Sequence, residues 1–381
     1  MQVKQKMLEL ISLALNGKSV DAKEFRGQSL EKLYNLSVTF DLAPIVSYAF
    51  GEREVDGGVL GKFLSKQFSA VKRYENFLFE TNKLRECFNK GKIPFILLKG
   101  SVMRDYYIEP WMRTACDIDV LVKQEDCLRA QQLLSKNYGY KYDKKGRHDV
   151  SLVSSGGVNV ELHTKTVEKG RAKNSNAVLE PIWEYAIPVG KDEFEFKLSD
   201  DMFYFYHVAH MAKHFECGGC GLRPFIDLYL LNAKSQDKDG KRDKLLVEGG
   251  LKTFNEKAIS LCNVWFLGGK HDNTTTLMEE YVFAGGVYGN FKKAVAVKQD
   301  KEGGRFKYLL KRIFLPYDML IEYYPNLKGR KILLPFYQAK RWFRLLKKQN
   351  RINAKRELKI SKKAKSEDLD ALNNLFKEVG L

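Results

Sequence analysis

A β-strand that carries two acids is predicted over Cys116-Asp117-Ile118-Asp119-Val120-Leu121-Val122. Side chains at positions i and i+2 of a strand point to the same face, so Asp117 and Asp119 are expected to share one face and the branched residues between them the other. Two carboxylates about 7 Å apart, at a rise of about 3.3 Å per residue, repel each other unless a cation lies near both. The acid pair therefore indicates a cation site.

A second strand is predicted upstream, over the apolar run from Ile93 to Leu98, and it ends at Lys99-Gly100-Ser101. Glycine permits close approach of a ligand to the main chain, and Ser101 can cap a helix that runs to about Tyr107. Such a turn presents backbone N–H groups and the positive end of a helix dipole. It is therefore suited to binding phosphate.

A third acid follows in a predicted hairpin, whose arms are residues 148–153 and 158–163. In the second arm Val158, Val160 and Leu162 alternate with polar residues, which places Glu161 on the polar face. Three carboxylates on neighbouring strands are the oxygen ligands that Mg²⁺ prefers. Two such ions can act on the attacking and the leaving oxygen of a displacement at phosphorus.

The ordered motifs resemble those of the DNA polymerase β-type nucleotidyltransferase superfamily, and more closely those of the bacterial uncharacterised nucleotidyltransferase family. The motifs that carry the resemblance are Leu98-Lys99-Gly100-Ser101, Arg113, Asp117-Ile118-Asp119-Val120-Leu121 and Val160-Glu161-Leu162-His163. The resemblance implies an α+β fold, with a small mixed sheet of the polymerase β-like type and flanking helical N-terminal and C-terminal regions.

The resemblance also implies roles for the motif residues. Gly100 and Ser101 are expected to bind the triphosphate of an NTP such as ATP. Two Mg²⁺ ions, or Mn²⁺, are expected on the three acids Asp117, Asp119 and Glu161. The interval before the first Asp is longer than in most members of the superfamily. Residues 106–111 are therefore expected to form an extra loop that turns Arg113 back towards the phosphates, with Lys99 beside them.

The expected reaction moves a nucleoside monophosphate from the NTP to an acceptor hydroxyl and releases pyrophosphate. A small molecule or a protein is favoured as the acceptor. Taken alone, an Asp-x-Asp strand is more often a solvated edge than a metal site, and it is the ordered combination that favours a nucleotidyltransferase. Two rival functions stay open, which are a catalytically silent NTP-binding or regulatory protein and a nucleic-acid tailing enzyme.

A long helix is predicted from Ser199, and it carries three histidines followed by a Cys-x-x-Cys motif. A zinc site is one interpretation of these five residues, and a polar seam against the catalytic domain is the other. They are His207, His210, His214, Cys217 and Cys220.

The same segment matches a second pattern of the resembled family, in Lys213, His214, Gly219, Arg223 and Asp227. The resemblance implies that Lys213, His214 and Arg223 contact the nucleotide from a helical second domain. The alternative for Arg223 is an internal helix pair with Asp227, four residues later.

Four regions are predicted: a helical region over 1–90, the catalytic core over 91–198, a helical second domain over 199–300 and a basic helical region over 301–381. In the first region, the helix near 58–90 is expected to turn Leu64, Phe68, Val71 and Leu78 to one side. No run of about 18–20 apolar residues predicts a membrane span. Six cysteines are too sparse for a disulfide framework, so a cytoplasmic protein is expected.

The formal net charge is +18, and it is unevenly distributed. Residues 340–365 contain twelve Lys or Arg and one acid. An anionic partner, either a membrane surface or nucleic acid, is expected for this basic segment, and a solvated end helix is the alternative.

Overall fold

The structure is a computed structural model, which describes residues 2–21, 28–51, 58–145, 149–166, 172–190, 194–234, 239–286, 302–345 and 366–381, together with single positions 25, 237, 295, 299, 351, 358 and 361. Most of the predicted basic segment 340–365 lies outside these residues. Parts of the predicted catalytic hairpin and of the domain boundary near 300 also lie outside them.

The N-terminal region is helical, as predicted. Its helices are α1 (Gln2–Leu15), α2 (Gln28–Thr39), α3 (Ala43–Ala49) and α4 (Val59–Lys90). The expected apolar side of α4 is wrong, because Phe68 is exposed and Phe63, Ala70 and Phe77 are buried instead. These buried residues recur every seven positions, which is close to two helical turns.

In the described part of the chain, a mixed sheet of seven strands comes next, with strand order β3-β4-β5-β2-β1-β7-β6. Pairing is parallel between β1 and β7 and between β2 and β5, and antiparallel elsewhere. This arrangement confirms the α+β class. The strands are β1 (Phe95–Leu97), β2 (Asp117–Val122), β3 (Lys141–Lys145), β4 (Asp149–Val153), β5 (Asn159–His163), β6 (Ala186–Pro188) and β7 (Glu195–Leu198).

Helices of one turn or more connect these strands. A single-turn helix, α5 (Gly100–Met103), follows β1, and α6 (Cys127–Tyr138) follows β2. Short 3-10 turns lie at Arg104–Tyr106 and Pro110–Met112, where the extra loop was expected. Helix α7 (Ser175–Leu179) precedes the last two strands.

The two faces of the sheet pack against different cores. Ile118, Val120 and Val122 point to a core that includes Phe88 of α4 and Leu134 of α6. The opposite face of β2 contributes only Leu121 to the larger core, because its other positions there are the two acids. The alternation of β2 therefore leaves the acids on the side that the second helical domain covers.

The first helix of the predicted second domain begins where expected, after Ser199, whose hydroxyl accepts a hydrogen bond from the Met202 N–H at 3.4 Å. The helices of this domain pack around Phe215, whose ring contacts those of Phe254 and Tyr281. They are α8 (Asp200–Glu216), α9 (Arg223–Lys234), α10 (Lys241–Glu248), α11 (Lys252–Phe266) and α12 (Asn273–Phe283).

The C-terminal region divides between two cores. Helix α13 (Arg305–Ile313) leads into a small separate core, in which residues of α14 (Tyr317–Tyr323) and α15 (Leu334–Leu345) pack. The last helix, α16 (Ser366–Glu378), instead joins the main core, where Phe376 packs on Phe215 and Tyr281. The four predicted regions stay a prediction, and the cores run across their boundaries.

Among the described helices, none is both long enough and apolar enough to cross a lipid bilayer.

We expect the core behind the acid strand to be stabilised strongly by Phe88, which is fully buried with its ring 5.3 Å from that of Phe95. Phe88→Ala should lower the free energy of unfolding by about 3–5 kcal/mol, because it leaves a cavity. Urea denaturation measures this change. Phe79→Ala is the matched control on the same helix, since Phe79 is 61% exposed. Equal losses in the two variants would contradict the assigned core.

Candidate active site

The turn after β1 holds its first residue in an unusual backbone conformation. Lys99 has φ 48° and ψ −120°, a region that residues with a side chain rarely adopt. Such strain costs on the order of 1–3 kcal/mol and persists where the surroundings impose it. The Lys99 Nζ lies 2.6 Å from Asp119 Oδ1, so the strained residue is tied to the acid strand.

The next residue of this turn, Gly100, is buried against the loop that leads to β2. A Cβ atom at Gly100 would lie 3.0 Å from Ala115 Cβ and 3.9 Å from Arg113 Nη1. This spacing favours glycine. The Ser101 Oγ is buried, and it has no hydrogen-bond partner among the described residues. A buried hydroxyl without a partner is uncommon and suggests a group that the protein alone does not supply.

The parallel pairing of β2 with β5 brings the acids together. Asp119 lies opposite Glu161 in the register, and Asp117 lies opposite Asn159. One ligand atom each from Asp119, Glu161 and His163 falls within 4.8 Å of the others. The Asp117 carboxylate lies on the same face but outside this group. The structure therefore brings together two of the three predicted metal ligands and adds His163.

The alternation of β5 was the signal for His163, because a residue two positions after Glu161 faces the same way. Its Nε2 lies 2.7 Å from Asp119 Oδ1 and 3.6 Å from Glu161 Oε2. The histidine therefore lies between the two carboxylates.

The electrostatics differ between the three acids. Burial by itself would raise the pKa of Asp119, but the Lys99 ammonium and the hydrogen bond with His163 lower it. Burial and repulsion from Asp119 raise the pKa of both Asp117 and Glu161. The negative charge of Asp119 is therefore stabilised, whereas negative charges on Asp117 and Glu161 are unfavourable in this site. A divalent cation would relieve this cost.

The donor set fits such a cation. Carboxylate oxygens suit Mg²⁺ and Mn²⁺, whereas imidazole nitrogen is a softer ligand. His163 can bind the metal directly, or it can hold Asp119 in place through the 2.7 Å contact, as hydrogen-bond partners of metal-binding carboxylates do. The residues present fit a metal centre in either case.

Helix α8 covers the acid face. Tyr206 is buried next to Lys99 and Asp119, and this burial raises its pKa. His210 lies one turn further on, with its Nε2 3.1 Å from that of His214. Burial lowers the pKa of His210 well below its usual value, and the neighbouring His214 and Lys99 lower it further. The His210 imidazole is therefore neutral at pH 7, and α8 presents an uncharged side chain to the site at this position.

The predicted zinc interpretation finds no support. His207 Nε2 lies 2.9 Å from the Pro224 carbonyl oxygen, so this histidine joins α8 to the start of α9. Burial raises the pKa of Cys220 to about 12, which disfavours the thiolate that zinc needs. Among the described residues, the histidines and cysteines of this segment form no group of three converging ligand atoms.

Arg113 is engaged in a buried ion pair. Its Nε lies 2.9 Å from Asp227 Oδ1, and its Nη2 lies 2.9 Å from Asp227 Oδ2. The Tyr107 hydroxyl donates a hydrogen bond to the same carboxylate at 2.7 Å. This pairing connects the loop before β2 with helix α9 of the second domain. In the same arrangement, Arg113 Nη1 lies close to Gly100.

Arg223 pairs with Asp41 rather than with Asp227, so the predicted internal helix pair is wrong. Its Nη2 lies 2.6 Å from Asp41 Oδ2, which also accepts a hydrogen bond from the Thr114 hydroxyl at 2.7 Å. Asp41 belongs to the N-terminal region, 182 positions away from Arg223. The pair therefore draws three parts of the chain together. Nothing in the local sequence singled out Asp41.

The remaining predicted contacts lie on the outer end of α8. Lys213 is half-buried and His214 is exposed. Lys213 is close enough to His210 to disfavour a charge on that imidazole. Lys213 and His214 therefore lie near the C-terminal end of α8, which is also the end that carries His210.

The sheet, the acids and the Gly-Ser turn define a mixed α/β protein with a candidate metal centre. A family model for an uncharacterised nucleotidyltransferase matches residues 27–267, which cover the N-terminal helices from α2 onwards, the acid strands and most of the second domain. The chain belongs to this nucleotidyltransferase family. No curated protein and no solved structure matches the chain.

We expect Asp227→Asn to destabilise the fold by about 3–5 kcal/mol, because it leaves the buried Arg113 charge without a counter-ion. Thermal and urea denaturation measure the loss. The control is Asp243→Asn, which removes an exposed partner of Lys252 and should leave stability nearly unchanged, because solvent screens an exposed pair. A similar loss in both variants would argue against a structural role for the buried pair.

Proposed function

We propose that this protein transfers a nucleoside monophosphate from an NTP to an acceptor hydroxyl and releases pyrophosphate, on a sheet of the polymerase β-like type. The observation that supports this most directly is the convergence of Asp119, Glu161 and His163 at 4.8 Å or less. Membership of a nucleotidyltransferase family points to the same chemistry. A small molecule or a protein remains the favoured acceptor.

Asp117, Asp119 and Glu161 would hold the divalent cations, Mg²⁺ or Mn²⁺, and His163 would complete or orient this set. Bound cations supply neutralisation of phosphate charge and a lower pKa for an acceptor hydroxyl. Glu161 is suited to accept the hydroxyl proton, because its raised pKa brings it closer to that of a working general base.

The triphosphate would lie on the turn at Gly100 and Ser101. Burial lowers the pKa of Lys99, but Tyr206 and the adjoining acids raise it by more, so the ammonium stays charged beside this turn while it pairs with Asp119. Ser101 Oγ, which lacks a partner among the described residues, would bond to the nucleotide. The charge of a leaving pyrophosphate would be balanced mainly by Lys99.

Further cations would contribute from the loop before β2 and from the second domain. Arg113 Nη1 lies near Gly100 and donates one hydrogen bond to the Thr114 carbonyl oxygen at 2.8 Å, so its second N–H would face a phosphate while Asp227 fixes the other edge of the guanidinium. Arg223 keeps a buried Nε that has no partner in the described part of the chain. Lys213 and His214, at the outer end of α8, would contact the nucleotide from above.

Transfer is tested with NTPs radiolabelled at the α or at the γ phosphate, incubated with the protein, Mg²⁺ or Mn²⁺ and a cell lysate as the source of acceptors. We expect acid-stable product from the α label only, because pyrophosphate carries the γ label away. Asp119→Ala and Glu161→Gln should each lower product formation at least about 100-fold. Asp143→Ala, which removes an exposed acid on β3, should leave it unchanged.

Labelling from the γ phosphate, or equal labelling by the Asp119→Ala variant, would refute nucleotidyl transfer. Nucleotide binding to the protein without any transfer, measured by calorimetry with a non-hydrolysable NTP, would favour the silent regulatory function instead. All three predicted acids are present in the chain, which weighs against that alternative.

His163 has a prediction of its own. His163→Gln should weaken Mn²⁺ binding by about 10–100-fold, because the side chain either binds the metal or orients Asp119. Paramagnetic resonance of free Mn²⁺ measures the affinity. The control is His271→Gln, since His271 lies outside the site and pairs with Glu279. Unchanged affinity in the His163 variant would place the metal on the acids alone.

A nucleic-acid tailing activity would require the basic segment 340–365, and it predicts salt-sensitive extension of an RNA primer. Deleting residues 340–381 is a poor test, because α16 packs in the main core. Charge-neutral substitutions within 340–365 test this alternative without removing that helix. We assign the segment to an anionic partner other than the NTP.

A further inference from the structure

Helix α13 turns an apolar stripe towards solvent. Phe306, Leu310 and Ile313 follow one another at spacings of four and three residues, which places them on one face. Their exposed fractions are 75%, 40% and 50%. An amphipathic helix ordinarily turns such a stripe towards the core. Here the buried side chain of the helix is Tyr308, so the apolar stripe lies on an outer face.

The stripe continues onto helix α15. The Trp342 indole N–H donates a hydrogen bond to the Ile313 carbonyl oxygen at 2.9 Å, and its ring meets that of Phe314 edge-on at 5.4 Å. Phe343, next in the chain, is strongly exposed. Two helices therefore form one apolar surface, which we call the C-terminal apolar surface. It consists of Phe306, Leu310, Ile313, Phe314, Trp342 and Phe343.

A small core next to this surface holds helix α15 in place. Leu315, Leu320 and Leu327 are buried together in that core. The Gln338 amide donates a hydrogen bond to the Leu315 carbonyl oxygen at 2.6 Å and so ties α15 to it. Contacts of Trp342 with Ile313 and Phe314 also join α15 to the end of α13. Phe306 and Leu310, in contrast, contribute nothing to the buried core. Isolated exposed apolar residues need no explanation, but a continuous set rimmed by polar residues marks a binding surface.

The charge around the surface is positive. Residues 302–345 contain ten Lys or Arg and three acids. Lys307 and Lys340 are exposed on the same two helices as the stripe. Aromatic and aliphatic residues on one face, with lysine and arginine beside them, are typical of helices that lie in the headgroup region of an anionic bilayer.

Two other occupants fit less well. A second copy of the chain would bring two positively charged surfaces together, which is unfavourable. A nucleic acid favours a polar, basic surface with stacking aromatics, and it leaves aliphatic side chains such as Leu310 and Ile313 without a role. We propose that residues 305–343 dock the protein on an anionic lipid bilayer, with the C-terminal apolar surface at the boundary of headgroups and acyl chains.

The proposal is independent of nucleotidyl transfer, and it is tested with the full chain. Flotation with phosphatidylcholine vesicles is compared with flotation with vesicles that also contain phosphatidylglycerol. We expect binding to the anionic vesicles, weaker binding as salt is raised and little binding to phosphatidylcholine alone.

Two variants test the surface itself. Phe306→Asp should lower partitioning at least about tenfold, because it places a charge in the apolar stripe. The double variant Lys307→Glu, Lys340→Glu should also lower it at least about tenfold, through the lost attraction to headgroups. The matched controls are Leu128→Asp on α6 and the double variant Lys66→Glu, Lys72→Glu on α4, which change exposed residues elsewhere and should bind as the parent does.

Each other outcome overturns the proposal. These outcomes are no flotation with anionic vesicles, equal flotation with both vesicle types, or equal loss in the control variants. A dimer that Phe306→Asp dissociates, without vesicle binding by the parent, would assign the surface to a second copy. Binding to single-stranded RNA in place of vesicles would assign it to nucleic acid. Circular dichroism and urea midpoints equal to those of the parent establish that the variants are folded.

Discussion

The register between strands β2 and β5 is the constraint on which the candidate site depends. Asp119 lies opposite Glu161 because the two strands pair in parallel at that position. A shift of one residue would reverse the faces of β5 and turn Glu161 into the apolar core beside Val120. The aliphatic residues of both strands prevent this shift, since they have a core of their own to fill. The packing on one face of the sheet therefore sets the chemistry on the other.

A second constraint holds the helical domain above the acid face. Arg113 with Asp227, and Arg223 with Asp41, are ion pairs between segments that lie far apart in sequence. Arginine can bind a carboxylate along one edge and keep other N–H groups free for a further anion. These pairs give both arginines a structural role, and Arg113 is the one that lies near Gly100. Helix α8 belongs to this helical domain, so the two ion pairs also hold α8 above the acids.

The alternation of the acid strands made much of the sheet predictable from sequence. Strands with a period of two assign each residue to a face, so the alternation placed Asp119 and Glu161 on the polar faces of their strands, while the pairing of β2 with β5 was not determined by it. The same rule placed His163 on the face of Glu161. The sequence pattern does not distinguish a histidine that binds a metal from one that orients another ligand. Asp117 shows the limit of the rule, since sharing a face does not bring its carboxylate into the group of converging atoms.

Tertiary partners were much less predictable. Helical spacing suggested a stripe through Phe68 on α4, whereas Phe63 and Phe77 are the buried residues. A helix of 32 residues passes several neighbours, and each neighbour selects its own face. The Arg223–Asp41 pair joins residues 182 positions apart, so no local pattern could reveal it. A sequence motif identifies residues that can form an ion pair, but the tertiary structure determines which residue each of them pairs with.

The return of helix α16 to the main core has a consequence for how this chain can diversify. Of the described residues between α12 and α16, those of helices α13 to α15 contribute nothing to the main core, whereas α12 and α16 both pack in it. The entropic cost of closing a loop rises only slowly with its length. Insertions and deletions around these helices are therefore tolerated more readily than changes in the acid strands, and relatives can acquire different surfaces here while they keep the same sheet.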